Sequence, residues 1–152
     1  MSENSPKIAI AADHAGFELK QSLKEWLLGQ GYTVQDLGTD SEDAVDYPDF
    51  GVKLGKVIQD ARADMGVAVC GSGIGISIAL NRFSSVRSAL CRDADDAKMA
   101  RRHNNANVLS LGARKTSADE ALEILKVFLE TEFEGGRHAR RVEKLGGCGL
   151  HE

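Results

Sequence analysis

Met65-Gly-Val-Ala-Val-Cys-Gly-Ser-Gly-Ile-Gly-Ile-Ser-Ile-Ala-Leu-Asn81 is the longest uncharged stretch of the chain, and its parts obey different rules. Met65 to Cys70 is an apolar run of strand length, and Gly71 to Gly75 is a turn. Ile76 to Phe83 reads as a short helix carrying Ile78 and Ala79 inward. Four glycines and two serines interrupt the stretch, so it does not spell a transmembrane helix. A buried strand feeding a helix through a glycine turn is the repeating unit of an α/β domain.

The same alternation extends to both sides. Upstream, Lys7 to Ala12 is a β-branched apolar run, and Phe17, Leu19, Leu23, Trp26 and Leu27 mark one face of a helix. Tyr32 to Leu37 is a second strand. After the acidic loop Gly38 to Asp46, Pro48 sits where a helix's first turn tolerates it, and that helix runs to about Arg62. Downstream, Val86 to Cys91 is the fourth strand, Ala94 to His103 a helix and Asn107 to Gly112 the fifth strand. Ser117-Ala-Asp-Glu120 is a capping box, with Ala121, Leu122, Leu125, Phe128 and Leu129 at helical spacing behind it. A short helix near His138 to Leu145 closes the pattern. Apolar strands alternating with helices predict a single-domain α/β fold, a doubly wound, Rossmann-like, five-stranded parallel sheet with right-handed crossovers and helices on both faces. Residues 7–145 form that domain, 1–6 a flexible start and 146–152 a glycine-rich tail.

The net charge of −4 and a pI near 5.6 argue against a nucleic-acid binder, while leaving a small anionic ligand open. Three cysteines, Cys70, Cys91 and Cys148, are odd in number and irregularly spaced, and Met1 to Lys7 lacks a signal peptide's apolar stretch. A reducing cytoplasm, with no membrane contact, is the expectation. Sixteen glycines in 152 residues exceed the usual share of roughly 7%, and they cluster rather than scatter as in a linker.

In an open parallel sheet ligands bind beyond the carboxyl ends of the strands. Candidates there are Asp13 and His14 after the first strand, Cys70 to Gly75 after the third and Arg114 after the fifth; His103 and Asn104 at the end of the fourth helix are read with them. Backbone amides of the Cys70–Gly75 loop can converge on an anion. Ile76 breaks the dinucleotide fingerprint and a Walker Gly-Lys-Ser/Thr is absent, so the named nucleotide motifs fit badly, and a plain tight turn is the bland alternative. Cys70, beside those amides, can supply a thiolate base or nucleophile, or be a small buried hydrophobe. Asp13 and His14 can exchange protons, although Asp in that position also caps helices. His103 can equally be a cation favoured by a helix C-terminus. Arg137 and Arg141 stand four apart, where like charges repel by a few tenths of a kcal/mol unless an anion joins them. The four histidines show no His-x-x-x-His spacing and Cys148 and His151 form a lone pair, so no metal is expected.

Five ordered motifs carry a resemblance. Ala11-Ala-Asp-His-Ala-Gly-Phe-Glu-Leu-Lys20, Asp46-Tyr-Pro-Asp-Phe50, Cys70-Gly-Ser-Gly-Ile-Gly-Ile-Ser-Ile-Ala-Leu-Asn81, Arg102-His-Asn-Asn-Ala-Asn-Val-Leu-Ser-Leu-Gly-Ala-Arg114 and Glu134-Gly-Gly-Arg-His-Ala-Arg-Arg-Val142 resemble the type B ribose-5-phosphate isomerase family, from about Lys7 to Leu145. That family also includes galactose-6-phosphate isomerase subunits and enzymes acting on allose 6-phosphate. The resemblance implies a cofactor-free interconversion of ribose 5-phosphate and ribulose 5-phosphate through a cis-enediolate, a step of the pentose phosphate pathway. By the family pattern Cys70 is the base, His103 helps open the furanose ring and Asp13 shuttles protons among the sugar oxygens. The amides of Gly71, Gly73, Ile74 and Gly75, with the Ser72 hydroxyl, stabilise the enediolate. His14, Arg114, Arg137 and Arg141 hold the phosphate, with Asn104 on the sugar.

One branch of the family uses a glutamate just after the glycine loop, where this chain has Ile76, so the cysteine branch is indicated. Ser72 stands where other members carry threonine and keeps the hydroxyl. Family members form dimers, often paired into tetramers, with sites built from two chains. The competing readings are an isomerase of a six-carbon phosphosugar, a non-catalytic phosphosugar-binding subunit and a nucleotide-binding module.

Overall fold

The computed structural model describes residues 5–147. Most of the expected flexible start, most of the tail and the Cys148/His151 pair lie outside the described residues. The elements run β1 (Ile8–Ala12), α1 (Phe17–Gly29), β2 (Val34–Asp36), α2 (Tyr47–Gln59), β3 (Met65–Cys70), α3 (Ile74–Leu80), β4 (Ser88–Leu90), α4 (Ala94–Asn104), β5 (Val108–Gly112), α5 (Ala118–Glu130) and α6 (Arg137–Gly146). The five strands form one parallel sheet in the order β2-β1-β3-β5-β4.

Alternation along the strands divides the core in two. Ile8, Ile10, Val67, Val69, Leu109 and Leu111 turn to one face, under Leu23 of α1, Ala97 of α4 and Leu125 and Phe128 of α5. Ala9, Ala11, Ala68, Cys70 and Val108 turn to the other, under Leu54 and Val57 of α2 and Ile76 and Leu80 of α3. The α/β, doubly wound architecture read from the sequence is therefore the one observed.

Local chemistry sets the helix starts. Ser117 Oγ caps α5 by accepting the Glu120 N–H at 3.2 Å, and the hydroxyl donates to Glu120 Oε1 at 2.9 Å, so the two side chains of the expected capping box meet through the hydroxyl. Asp93 caps α4 by accepting the Asp96 N–H at 2.7 Å. The two edge strands are shorter than their apolar runs suggest, three residues each and half-buried, because only one neighbour fixes them.

The third helix corrects one expectation. It begins at Ile74 rather than Ile76, and Ile78 points outward, 61% exposed. With that start Ile76, Ser77 and Leu80 turn to the sheet, whereas Ile74 and Ile78, four apart, share the outer stripe. Gly146, assigned to the tail, is the last residue of α6.

Candidate functional site

The strand order decides where a ligand can enter. β1 passes the chain to α1 on one face of the sheet, and its neighbour β3 passes it to α3 on the other, so a cleft opens between their carboxyl ends. Asp13 and Cys70 stand on its two sides. Ala12 pairs with Val69, and Asp13 N–H donates to Val69 O at 3.1 Å. Gly16 permits this approach, since a Cβ there would lie 2.6 Å from Val69 O.

Cys70 is 4% exposed and its Sγ accepts the Gly73 N–H at 3.1 Å. Gly73 has a φ of +80°, and a Cβ on it would meet Leu90 Cδ1 at 2.6 Å and the Leu111 carbonyl carbon at 2.8 Å, so this position requires glycine. Ser72 Oγ accepts the Ile74 N–H at 3.1 Å, which leaves its own proton to donate elsewhere. Two of the five loop amides are thus engaged by Cys70 and Ser72. Cys91, by contrast, is a core thiol, pushed up to about 12 by burial with Asp96 and Asp93 nearby.

Asp13 is buried, and its Oδ1 accepts the Gly16 N–H at 3.1 Å, so its second oxygen keeps its capacity for a ligand. His14 Nδ1 lies 3.1 Å from both the amide nitrogen and the carbonyl oxygen of Val45. Arg114 follows β5, which pairs with β3 through Gly112 and Cys70. Its backbone N–H donates to Gly71 O at 3.0 Å, and its Nη1 lies 3.0 Å from where a Gly71 Cβ would stand. A side chain at 71 would press on that guanidinium and shift it over the loop.

His103 and Asn104 are elsewhere. α4 returns the chain antiparallel to the strands, so its C-terminus lies at the amino edge of the sheet, just before β5 begins at Val108. The five residues of β5 separate the two edges by about 16 Å. Grouping His103 and Asn104 with the strand carboxyl ends is corrected accordingly. They line a cavity of about 290 Å3 with His138, Arg141, Val142 and Leu145, and Arg137 opens the same helix α6.

Within this second cluster the His103 and His138 rings stack, centroids 4.3 Å apart and planes 16° from parallel. Glu134 lies beside both, its oxygens 3.9 Å from His103 Nε2 and 3.6 Å from His138 Nε2. Burial, then His103 and Arg137, hold the His138 imidazole below the ordinary histidine range, against the pull of Glu134. His103, Glu134 and His138 form a group with the ligand types of a cation site. Imidazole lone pairs lie in the ring plane, however, and two stacked rings direct theirs side by side, so the rings as arranged do not converge on one ion. The sequence reading missed Glu134 and His138. Their only signal was the Glu134-Gly-Gly-Arg-His138 motif, since Glu134 precedes α6 and no helical period links it to His103.

Arg101 has a structural part. It is buried, with Nε donating to Thr131 O at 3.0 Å and Nη1 to Ala106 O at 2.6 Å and to Asn105 Oδ1 at 3.0 Å, which locks the end of α4 that carries His103. Among the described residues no carboxylate forms a salt bridge with Arg114, Arg137 or Arg141. Three guanidiniums without a carboxylate are suited to a phosphate. The site residues read from the sequence thus fall into two groups. Asp13, His14, Cys70 to Gly75 and Arg114 occupy one edge, and His103, Asn104, Arg137 and Arg141 the other.

Comparison with known proteins gives one consistent result. The family model described as Ribose/Galactose Isomerase matches residues 8–145. A crystal structure of a ribose 5-phosphate isomerase from Thermotoga maritima is 50% identical with a TM-score of 0.92, over 94% of this chain and 99% of that one. Ribose-5-phosphate isomerase B from Mycoplasma genitalium, with ribulose-5-phosphate bound, is 39% identical with a TM-score of 0.91, over 96% and 97% of the two chains. A D-erythrulose-4-phosphate isomerase from Pectobacterium atrosepticum is 41% identical over 91% of this chain and 92% of its own.

Proposed function

The chain belongs to the ribose/galactose isomerase family, which holds the type B ribose-5-phosphate isomerases, and from that premise we propose that it interconverts ribose 5-phosphate and ribulose 5-phosphate with Cys70 as the base. The observation that carries this reading is the Cys70 thiol at the sheet's cleft, holding the Gly73 N–H at 3.1 Å beneath a loop of amides. That N–H already points at the sulfur before any substrate arrives. Cys70, as the thiolate, takes the proton on carbon 2, the electron pair moves toward the carbonyl oxygen at carbon 1, and the cis-enediolate collects its proton back at carbon 1.

Developing negative charge on the enediolate oxygens needs donors fixed in advance, each worth about 2.7–4 kcal/mol at comparable sites. The Ser72 hydroxyl is such a donor, because its oxygen is already occupied by the Ile74 N–H. The loop amides of Gly71 and Gly75 supply others, while the Gly73 amide serves the base instead. Asp13 moves protons among the sugar hydroxyls. No cofactor is needed, since the hydrogen moves as a proton.

His103, which opens the sugar ring, and Arg137 and Arg141, which hold the phosphate with His14 and Arg114, sit at the opposite edge of the sheet from Cys70 in their own chain. The reading therefore includes a homodimer in which one protomer's His103 edge faces its partner's Cys70 edge. The exposed stripe of Ile74, 46% exposed, and Ile78 beside the glycine loop supports this, because an apolar surface next to an incomplete site suits a second copy.

Substrate length is the finest part of the proposal, since one hydroxymethylene changes binding by only about 1–3 kcal/mol. The D-erythrulose-4-phosphate isomerase among the relatives favours a test across lengths. Turnover is compared on ribose 5-phosphate, D-erythrulose 4-phosphate, allose 6-phosphate and galactose 6-phosphate. Ribose 5-phosphate is expected to give the highest kcat/KM; preference for another sugar overturns the substrate, and turnover of none overturns the isomerase.

A further inference from the structure

The stack of His103 on His138 beside Glu134 joins three segments: the end of α4, the stretch before α6 and the first turn of α6. The joint is built. Glu134 N–H donates to Arg102 O at 3.1 Å, and buried Arg101 reaches Thr131 O at 3.0 Å in the same stretch. The carboxylate is therefore tied by its own backbone to the helix end that carries His103.

We propose that Glu134 and His138 are positioning residues for His103, holding its ring toward the substrate cavity and confining the stacked pair to a single proton whose charge Glu134 balances. This deepens the isomerase reading and rests on it for the role of His103.

Charge arithmetic limits the pair to one proton. Two imidazolium charges with ring centroids 4.3 Å apart repel, and one carboxylate compensates only one of them. The charged groups facing His138 are His103 from α4, Glu134 from the preceding stretch, and Arg137 and Arg141 from its own helix. Burial and both arginines disfavour a charge on His138. Both rings line the cavity, and His103 is the more open of the two, its side chain 34% exposed against 9%. His103 is therefore the ring through which the pair's single proton reaches a sugar.

In ring opening that proton passes to the furanose ring oxygen as the bond between it and carbon 1 breaks. The carbon 1 hydroxyl gives its proton to the Asp13 carboxylate, and the released electron pair forms the aldehyde. His103, left neutral beside Glu134, regains a proton from water, and Asp13 returns its own.

The test compares the full-length parent chain with Glu134→Gln, which keeps size and backbone and loses the charge, and with Glu134→Asp, which keeps the charge. NMR titration of the imidazole C2 protons follows the stacked pair as one unit. In Glu134→Gln the pair is expected to titrate about one pH unit lower with thermal stability unchanged, since loss of a balancing charge disfavours the proton. kcat on ribose 5-phosphate near neutral pH is expected to fall about tenfold with KM within about twofold, recovering as pH is lowered. Glu134→Asp is expected to stay near the parent in both. A folded Glu134→Gln whose titration and pH profile match the parent, or whose loss is confined to KM, overturns the proposal. The titration is read whether or not the parent turns over ribose 5-phosphate, so absent turnover counts against the function while the pairing is still decided.

Discussion

At the residue scale the two buried cysteines among the described residues differ in character. Cys70 meets an N–H of a left-handed glycine turn, and Cys91 is kept a thiol by burial and two aspartates. Cys70→Ala is expected to lower kcat by about a thousandfold or more while calorimetry shows ribose 5-phosphate still bound, because general-base removal affects chemistry rather than the phosphate grip. Unchanged turnover in that variant removes Cys70 as the base. Cys70, Ser72 and Arg114 were legible in the sequence because each stands next to a strand end or a glycine turn, where local rules reveal position. His103 was legible as a residue but not as a location. Glu134 was legible only as part of a quoted motif and not as a site residue, since its partners come from α4 and α6.

At the scale of elements, two features hold the cleft in shape. Gly73→Ala forces a side chain into a φ of +80° and against Leu90 and the Leu111 backbone. A cost of about 1–3 kcal/mol is expected, read as a lower thermal midpoint, together with weakened turnover from the displaced loop. The second feature ties α1 to β2. Lys20, with 0% exposure, meets Asp36 at 2.8 Å, and Lys24 meets it at 3.0 Å. Burial by itself raises the Asp36 carboxyl, but bonds from Lys20, the Gly38 N–H and Lys24 outweigh it and the net shift is downward. A lowered carboxylate stabilises the fold above its unfolded value of about 3.9, and that contribution drains away as pH falls through the lower folded value. Asp36→Asn strands a buried ammonium and is expected to cost about 3–5 kcal/mol in urea unfolding at pH 7. It should also flatten the acid limb of the stability curve. The alternation of elements was legible from hydrophobic period alone. The outward turn of Ile78 was not, because α3 begins two residues, about half a turn, before the expected start, and half a turn exchanges the buried and exposed stripes.

At the scale of the whole molecule, a parallel sheet with helices returning between strands separates helix ends from strand ends. That geometry puts Cys70 and His103 on opposite edges, about 16 Å apart by the length of β5. On the proposed reading one chain carries two half-sites, and catalysis by both residues on one sugar calls for a second chain. The most direct measurement mixes two variants, Cys70→Ala and His103→Ala, each inactive alone, after subunit exchange or joint refolding. In a mixed dimer one site carries both substitutions and the other carries neither. Equal mixing is then expected to restore about a quarter of the parent's activity per protomer, half the dimers having one intact site. Activity that stays at the level of the separate variants, with mixed dimers demonstrated, contradicts a site shared between chains.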